Sequence, residues 1–259
     1  MLQHYLLVSL IILASSVVQG AVGFASGLFG TPLLMLTGMS LPDAVAISLV
    51  TSAFQNCIAA WQLRRDIDFA RALRPMLIRF AMLPVGAAAL YAVGKENNAL
   101  AGQIVGAIIL GIVAVQQLVQ VPPQPQLHAA WEWLAFGLGG FLLGLCGMGG
   151  PPMMLWALAH DWPMNRLRAF MYFIFVTGLI PQGLLLWLTF GNEILWPMLL
   201  GLGVLPAVLV GLYLGLYLGR ILPDRFLRSV SVAVLVLIAL SAIASPYVLS
   251  VLSWLRGYQ

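Results

Sequence analysis

The stretch Gly147-Met148-Gly149-Gly150-Pro151-Pro152 decides how this sequence is read. It sits inside a long apolar run, yet it is made almost wholly of residues that open the backbone or stop a helix. It has a partner: Gly27, Gly30 and Pro32, in Ser26-Gly27-Leu28-Phe29-Gly30-Thr31-Pro32, stand 120 residues before Gly147, Gly150 and Pro152.

Around these two segments the chain is membrane sequence. Of 259 residues 62% are hydrophobic and 8% charged, against roughly 25% charged in a soluble domain. The mean hydropathy is +1.01. Apolar runs of membrane-crossing length follow one another with short charged punctuation, which predicts an all-α polytopic membrane protein rather than a β-barrel of short alternating segments. Helices are expected at 5–23, 26–40, 42–62, 72–94 and 98–119, then at 129–146, 148–160, 164–189, 194–219 and 223–243. Prolines Pro122, Pro123 and Pro125 forbid a helix between the two sets. The opening residues lack the basic n-region of a signal peptide, so the first run reads as a retained helix.

The net charge of +4 comes from 12 Lys+Arg against 8 Asp+Glu. Its basic residues lie in interhelical loops, which reads as topology signalling and not as a nucleic-acid surface. Cys57 and Cys146 fall on separate apolar segments with no metal or disulfide spacing. His4, His128 and His160 share no spacing that would build a catalytic or metal set. No enzyme activity, metal or cofactor is expected.

The halves align in order. A shift of 120 also matches Gly20 with Gly140; slips of one residue then match Pro42 with Pro163, Pro75 with Pro197 and Pro84 with Pro206. This predicts a first repeat at 1–120, a Pro-rich linker at 121–128, a second repeat at 129–245 and a tail at 246–259. Each repeat is a short Gly/Pro-interrupted helical hairpin, 5–40 or 129–160, followed by three transmembrane helices. Counting each short segment separately places Arg64, Arg65, Arg71, Arg74, Arg166, Arg168, Arg220, Arg225 and Arg228 on one side of the membrane. Merging each with its predecessor abolishes the bias. The positive-inside rule therefore favours inverted repeats in a bacterial inner membrane, with both termini periplasmic.

Paired interruptions in corresponding places of two inverted halves point to a substrate site. The segment 26–40 spans about 22 Å at 1.5 Å per residue, short of a core of about 30 Å. Unwound backbone at that depth must be buried in protein or line a wet cavity. A helix starting there offers unpaired N–H donors and a partial positive charge to an anion, and Pro32 and Pro152 suit a first turn. Close helix packing is the competing explanation of the glycines, but packing does not call for proline.

In Gly20 to Pro32, Pro42-Asp43-Ala44-Val45-Ala46, Gly144 to Pro152 and Pro163-Met164-Asn165-Arg166-Leu167-Arg168, the chain resembles the sulfite exporter TauE/SafE family, also described as toluene-sulfonate uptake permeases, over nearly its whole length. The resemblance implies secondary transport of sulfite, organosulfonates or related sulfur anions across a bacterial inner membrane. Phe29, where the second copy has Gly149, is a departure between the two half-sites.

The candidate substrate-binding residues are Gly27, Gly30 and Thr31 with Gly147, Gly149 and Gly150, then the stripe Ser48, Thr51, Ser52 and Gln55, which recurs at helical spacing. Tyr172, Thr177 and Gln182 are the sparser counterpart. Hydroxyls on such helices often only bond back to their own carbonyls. Arg79 lies inside a membrane helix, where it either snorkels to the surface or serves substrate or gate; its counterpart is Gly201. No acidic residue falls deep in a segment. Asp43 and Asp161 are the candidates for ion coupling, with helix capping as the plainer role. The partners expected are a small anion and the lipid bilayer, with a homo-oligomer possible. A transporter of another anion, such as a carboxylate, and a membrane scaffold subunit are the alternatives.

Overall fold

The protein is described by a computed structural model covering residues 2–22, 26–96, 98–118, 127–223, 226, 229–230 and 232–244. Most of the expected linker, the tail 246–259, and Arg225 and Arg228 lie outside the described residues. Among those described the chain is all-helical. It runs as α1 (Leu2–Val22), α2 (Ser26–Leu36), α3 (Leu41–Gln62), α4 (Phe69–Glu96), α5 (Asn98–Leu118), α6 (Ala129–Cys146), α7 (Gly150–Leu158), α8 (Met164–Thr177), α9 (Leu179–Phe190), α10 (Leu195–Gly203), α11 (Leu205–Ile221) and α12 (Val232–Ala244). Five helical stretches are long and apolar enough to cross a bilayer by length and composition. Helices α2 and α7, at 11 and 9 residues, are not.

Local chemistry explains the boundaries. Ser40 caps α3, accepting from the Asp43 N–H at 3.3 Å, with Pro42 in the first turn. α6 ends on Gly147, whose φ of 72° lies in the left-handed region. Its N–H returns to the Leu143 carbonyl at 3.0 Å, the bond of an αL cap, and that of Met148 reaches the Leu142 carbonyl at 3.3 Å. The long helices expected at 164–189 and 194–219 are each broken, at Gly178 and at Val204. A proline follows shortly after each break, Pro181 and Pro206, and removes a donor from the turn.

Pro32 departs from expectation. It lies in the middle of α2, which starts at Ser26, and not in a first turn. Pro151 and Pro152 do occupy the first turn of α7. The difference follows the sequence: Phe29 continues a helix where Gly147 to Gly149 interrupt one.

Side-chain pairs define the two ends of the bundle. At the first end Arg166 pairs with Asp68 at 2.7 Å and Arg74 with Glu132 at 3.6 Å, while Arg71 and Arg166 lie over the Trp162 ring. At the second end Tyr91 meets Phe190, and Gly94 packs on Pro42. So α3 runs from the second end to the first, and α8–α9 run the opposite way. The α6–α7 hairpin leaves the first end at Glu132 and returns to it at Trp162. The α1–α2 hairpin enters from the opposite side: α1 lies parallel to α11, with Leu13 against Gly211 and Gly20 against Gly215, and α2 leads back to Pro42.

The first helix of each hairpin is clamped to the fourth helix of the other half. A Cβ on Gly20 would come within 2.7 Å of the Leu212 carbonyl oxygen, and one on the matching Gly140 would strike the Arg79 carbonyl. Glycine lets both pairs of backbones touch. The hairpin tips meet between them: a Cβ on Gly27 would stand 2.7 Å from the Gly147 carbonyl oxygen.

Candidate functional site

Where the tips meet there is a cavity of about 50 Å³. By the measure of 10–15 Å³ per water it holds roughly four waters, or one small oxyanion. Its wall takes Gly27 from the first tip and Gly147 to Pro151 from the second, Ser52 and Asn56 from α3, Gln19 from α1, Arg79 from α4 and Gln182 from α9. Seven of the residues singled out above therefore share one wall: Gly27, Ser52, Arg79, Gly147, Gly149, Gly150 and Gln182.

Arg79 dominates this site. It is 1% exposed and begins α4's eleventh position, about 15 Å along the helix at 1.5 Å per residue, near the middle of a core of about 30 Å. It does not snorkel. Two glycines dictate its path. Gly140 brings α6 onto the backbone at Arg79, and Gly178 leaves the room its guanidinium fills, since a Cβ there would lie 2.6 Å from Nη2. The break at Gly178 also supplies the anchor. Gly178 N–H bonds back to Phe175 at 3.2 Å and so leaves the Ile174 carbonyl free of its usual helical partner. That carbonyl accepts from Arg79 Nη1 and from the Thr177 hydroxyl, the latter at 2.9 Å. Nε of Arg79 is buried with no hydrogen-bond partner, and among the described residues no carboxylate pairs with the guanidinium. A buried cation without its counter-charge is costly unless an anion completes it.

The neutral groups are arranged around it. Gln182 donates Nε2 to the Leu143 carbonyl at 3.1 Å, which ties α9 to the second tip. Gln19 donates to Asn56 Oδ1 at 3.3 Å, and both side chains belong to the cavity lining. Ser52 donates to the Ser48 carbonyl at 2.5 Å, so its proton is committed to its own helix. The start of α7 contributes less than a helix N-terminus ordinarily does. Of its first four N–H positions, Pro151 and Pro152 have none, leaving Gly150 and Met153.

Other singled-out residues lie off this wall. Thr31 is fully buried and donates to Ser48 Oγ at 3.0 Å, over Gly30, where a Cβ would sit 3.3 Å from that oxygen. These three knit α2 to α3. Thr51 bonds back to the Ile47 carbonyl at 3.0 Å. Gln55, 2% exposed, has both amide atoms buried without partners. Tyr172 is half-buried on α8, outside the cavity lining. Asp43 is in the first turn of α3 and Asp161 is exposed in the turn before α8, one at each end of the bundle and neither at the cavity. Gln19 and Asn56 were not singled out from the sequence. Gln19 is a lone amide in the apolar stretch of α1, and Asn56 stands beside Gln55 at the end of the α3 stripe, which is the signal available.

Two short hairpins meeting at mid-depth over a buried, unpaired cation, inside a bundle of apolar helices, define a polytopic membrane transporter. The model of the family described as sulfite exporter TauE/SafE matches residues 7–242, and the chain belongs to that family. No curated protein and no solved structure matches it.

Proposed function

We propose that this protein carries small sulfur oxyanions, sulfite foremost, across a bacterial inner membrane by alternating access, holding the anion where the two hairpin tips meet. The observation that carries the reading is Arg79: a mid-depth guanidinium on a cavity wall, anchored by a carbonyl but without a carboxylate. Asn56, Gly149 and Gly150 line the same wall, and on this reading the Asn56 amide and the two backbone N–H groups complete an oxyanion's coordination. Gly27, Ser52, Gly147 and Gln182 shape it, while Gly30, Thr31, Ser48, Thr51, Gln55, Tyr172 and Thr177 support it from behind. A volume of about 50 Å³ suits sulfite and not an aromatic sulfonate.

The two halves, on this proposal, are inverted repeats. In support, the hairpins enter from opposite ends, α3 and α8–α9 run oppositely, and the clamps α1–α11 and α4–α6 exchange when the halves are exchanged. Arg64, Arg65, Arg71, Arg74, Arg166 and Arg168 gather at the first end, which makes that end cytoplasmic and the hairpin mouth at Asp43 periplasmic.

The test is flux of labelled sulfite, methanesulfonate and acetate in proteoliposomes, for the wild type and Arg79→Gln. Sulfite flux that Arg79→Gln removes supports the proposal. Acetate flux without sulfite flux favours a carboxylate carrier, and an absence of any anion flux leaves a scaffold subunit.

A further inference from the structure

We infer that the site selects its substrate by charge: it takes a singly charged oxyanion and rejects the doubly charged form, so that sulfite crosses as hydrogensulfite and brings its own proton. The inference rests on the transport reading above and deepens it.

The cavity wall holds one cation, Arg79, and no acidic side chain is buried among the described residues. Of the described titratable side chains on the helices around Arg79, none lines the cavity: Cys146 and Glu132 are on α6, Tyr172, Arg166 and Arg168 on α8, Asp43 and Cys57 on α3, and Arg71, Arg74 and Tyr91 on α4 itself. The remaining donors, on Asn56 and on the backbone of Gly149 and Gly150, are neutral dipoles. A monoanion therefore makes the occupied site neutral. A dianion leaves one buried charge uncompensated near mid-depth, where no ionised side chain of the described wall answers it and a cavity of about 50 Å³ has room for the anion but not for a hydration shell around it.

The same rule explains how such a carrier works without a relay. Proton-coupled carriers commonly hold an intramembrane carboxylate or histidine, and the described wall has neither. If the anion arrives already protonated, the proton travels on the substrate. Atoms and charge balance with no group of the protein changing its ionisation.

The experiment compares two anions in proteoliposomes holding the wild-type protein. Sulfite loses its second proton within the accessible pH range, whereas methanesulfonate stays a monoanion throughout. At fixed total concentration, sulfite flux is expected to fall about tenfold per pH unit above sulfite's second ionisation, following the hydrogensulfite fraction, with methanesulfonate flux level. Thermal-shift binding of both anions to detergent-solubilised protein should repeat the pattern independently of turnover. Sulfite flux that is level or rises with pH, while methanesulfonate stays level, overturns the inference and leaves the transport reading intact. A parallel fall for both anions assigns the pH dependence to the protein and also overturns it. Silence from both anions overturns the transport reading, and this inference with it.

Discussion

At the scale of single residues, the site depends on two glycines as much as on its arginine. Arg79→Gln removes the one cation among the described residues of the wall while relieving a buried charge, so the protein should still insert and fold. Loss of a charge-assisted contact worth about 1.5–3 kcal/mol predicts sulfite binding weaker by roughly 10- to 100-fold, read as the loss of sulfite-induced thermal stabilisation. Gly178→Ala should act on the same readout without touching the charge, because its new methyl would claim the space of Nη2, 2.6 Å away. Overpacking of this kind costs about 1–3 kcal/mol, and the guanidinium has to leave its anchor on Ile174. Gly183→Ala is the matched control. Its Cβ would meet only Leu49 Cδ2, at the ordinary distance of 3.6 Å, so binding should persist. Equal loss of binding in both variants would remove the role given to Gly178.

At the scale of elements, the second hairpin turns on Gly147, whose φ of 72° is disfavoured for any side chain. Gly147→Ala should lower stability by about 1–2 kcal/mol through strain alone, visible as a lower Tm in detergent. Much of this architecture was legible in the sequence. Length and hydropathy set the helices to within a few residues, and the matched glycines and prolines marked both hairpins, since these residues act locally. What was not legible depends on packing. Periodicity shows that α3 has a polar face but not its phase: the stripe Ser48, Thr51, Ser52 and Gln55 was expected to face substrate, whereas Leu49, Ser52 and Asn56 face the cavity. Arg79 could not be sent inward or outward from α4 alone, because Gly140 and Gly178 on other helices determine its course. The breaks at Gly178 and Val204 were foreshadowed by Pro181 and Pro206, but a proline in a membrane helix is as readily absorbed as a kink. Pro75 and Pro84 show this in the unbroken α4.

At the scale of the whole molecule, topology and pH each offer a test. Reporter fusions after Asn192 and after Pro223 should report outside and inside respectively; an inside Asn192 with an outside Pro223 would refute the inversion. Asp68 clasps the halves at the first end through Arg166. The Arg71 backbone N–H, followed by the Arg166 side chain, holds its carboxyl below the ordinary value of 3.8. A depressed carboxylate contributes stability above its unfolded pKa and loses it as pH falls through the lower, folded value. Asp68→Asn should therefore be less stable than the wild type near neutrality, with the gap in Tm closing in acid below pH 3.8; a gap that stayed constant would show that the charge plays no part. The glycine clamps carry a mechanical meaning of their own. Because α4 touches α6, and α1 touches α11, backbone to backbone, neither pair can slide without collision. If the protein works by the alternating access proposed above, the bodies that rock are not the two halves of the chain but mixed blocks, each holding helices from both halves. A disulfide tying α4 to α6 should leave the carrier running, while one tying the first hairpin tip to the second should stop it.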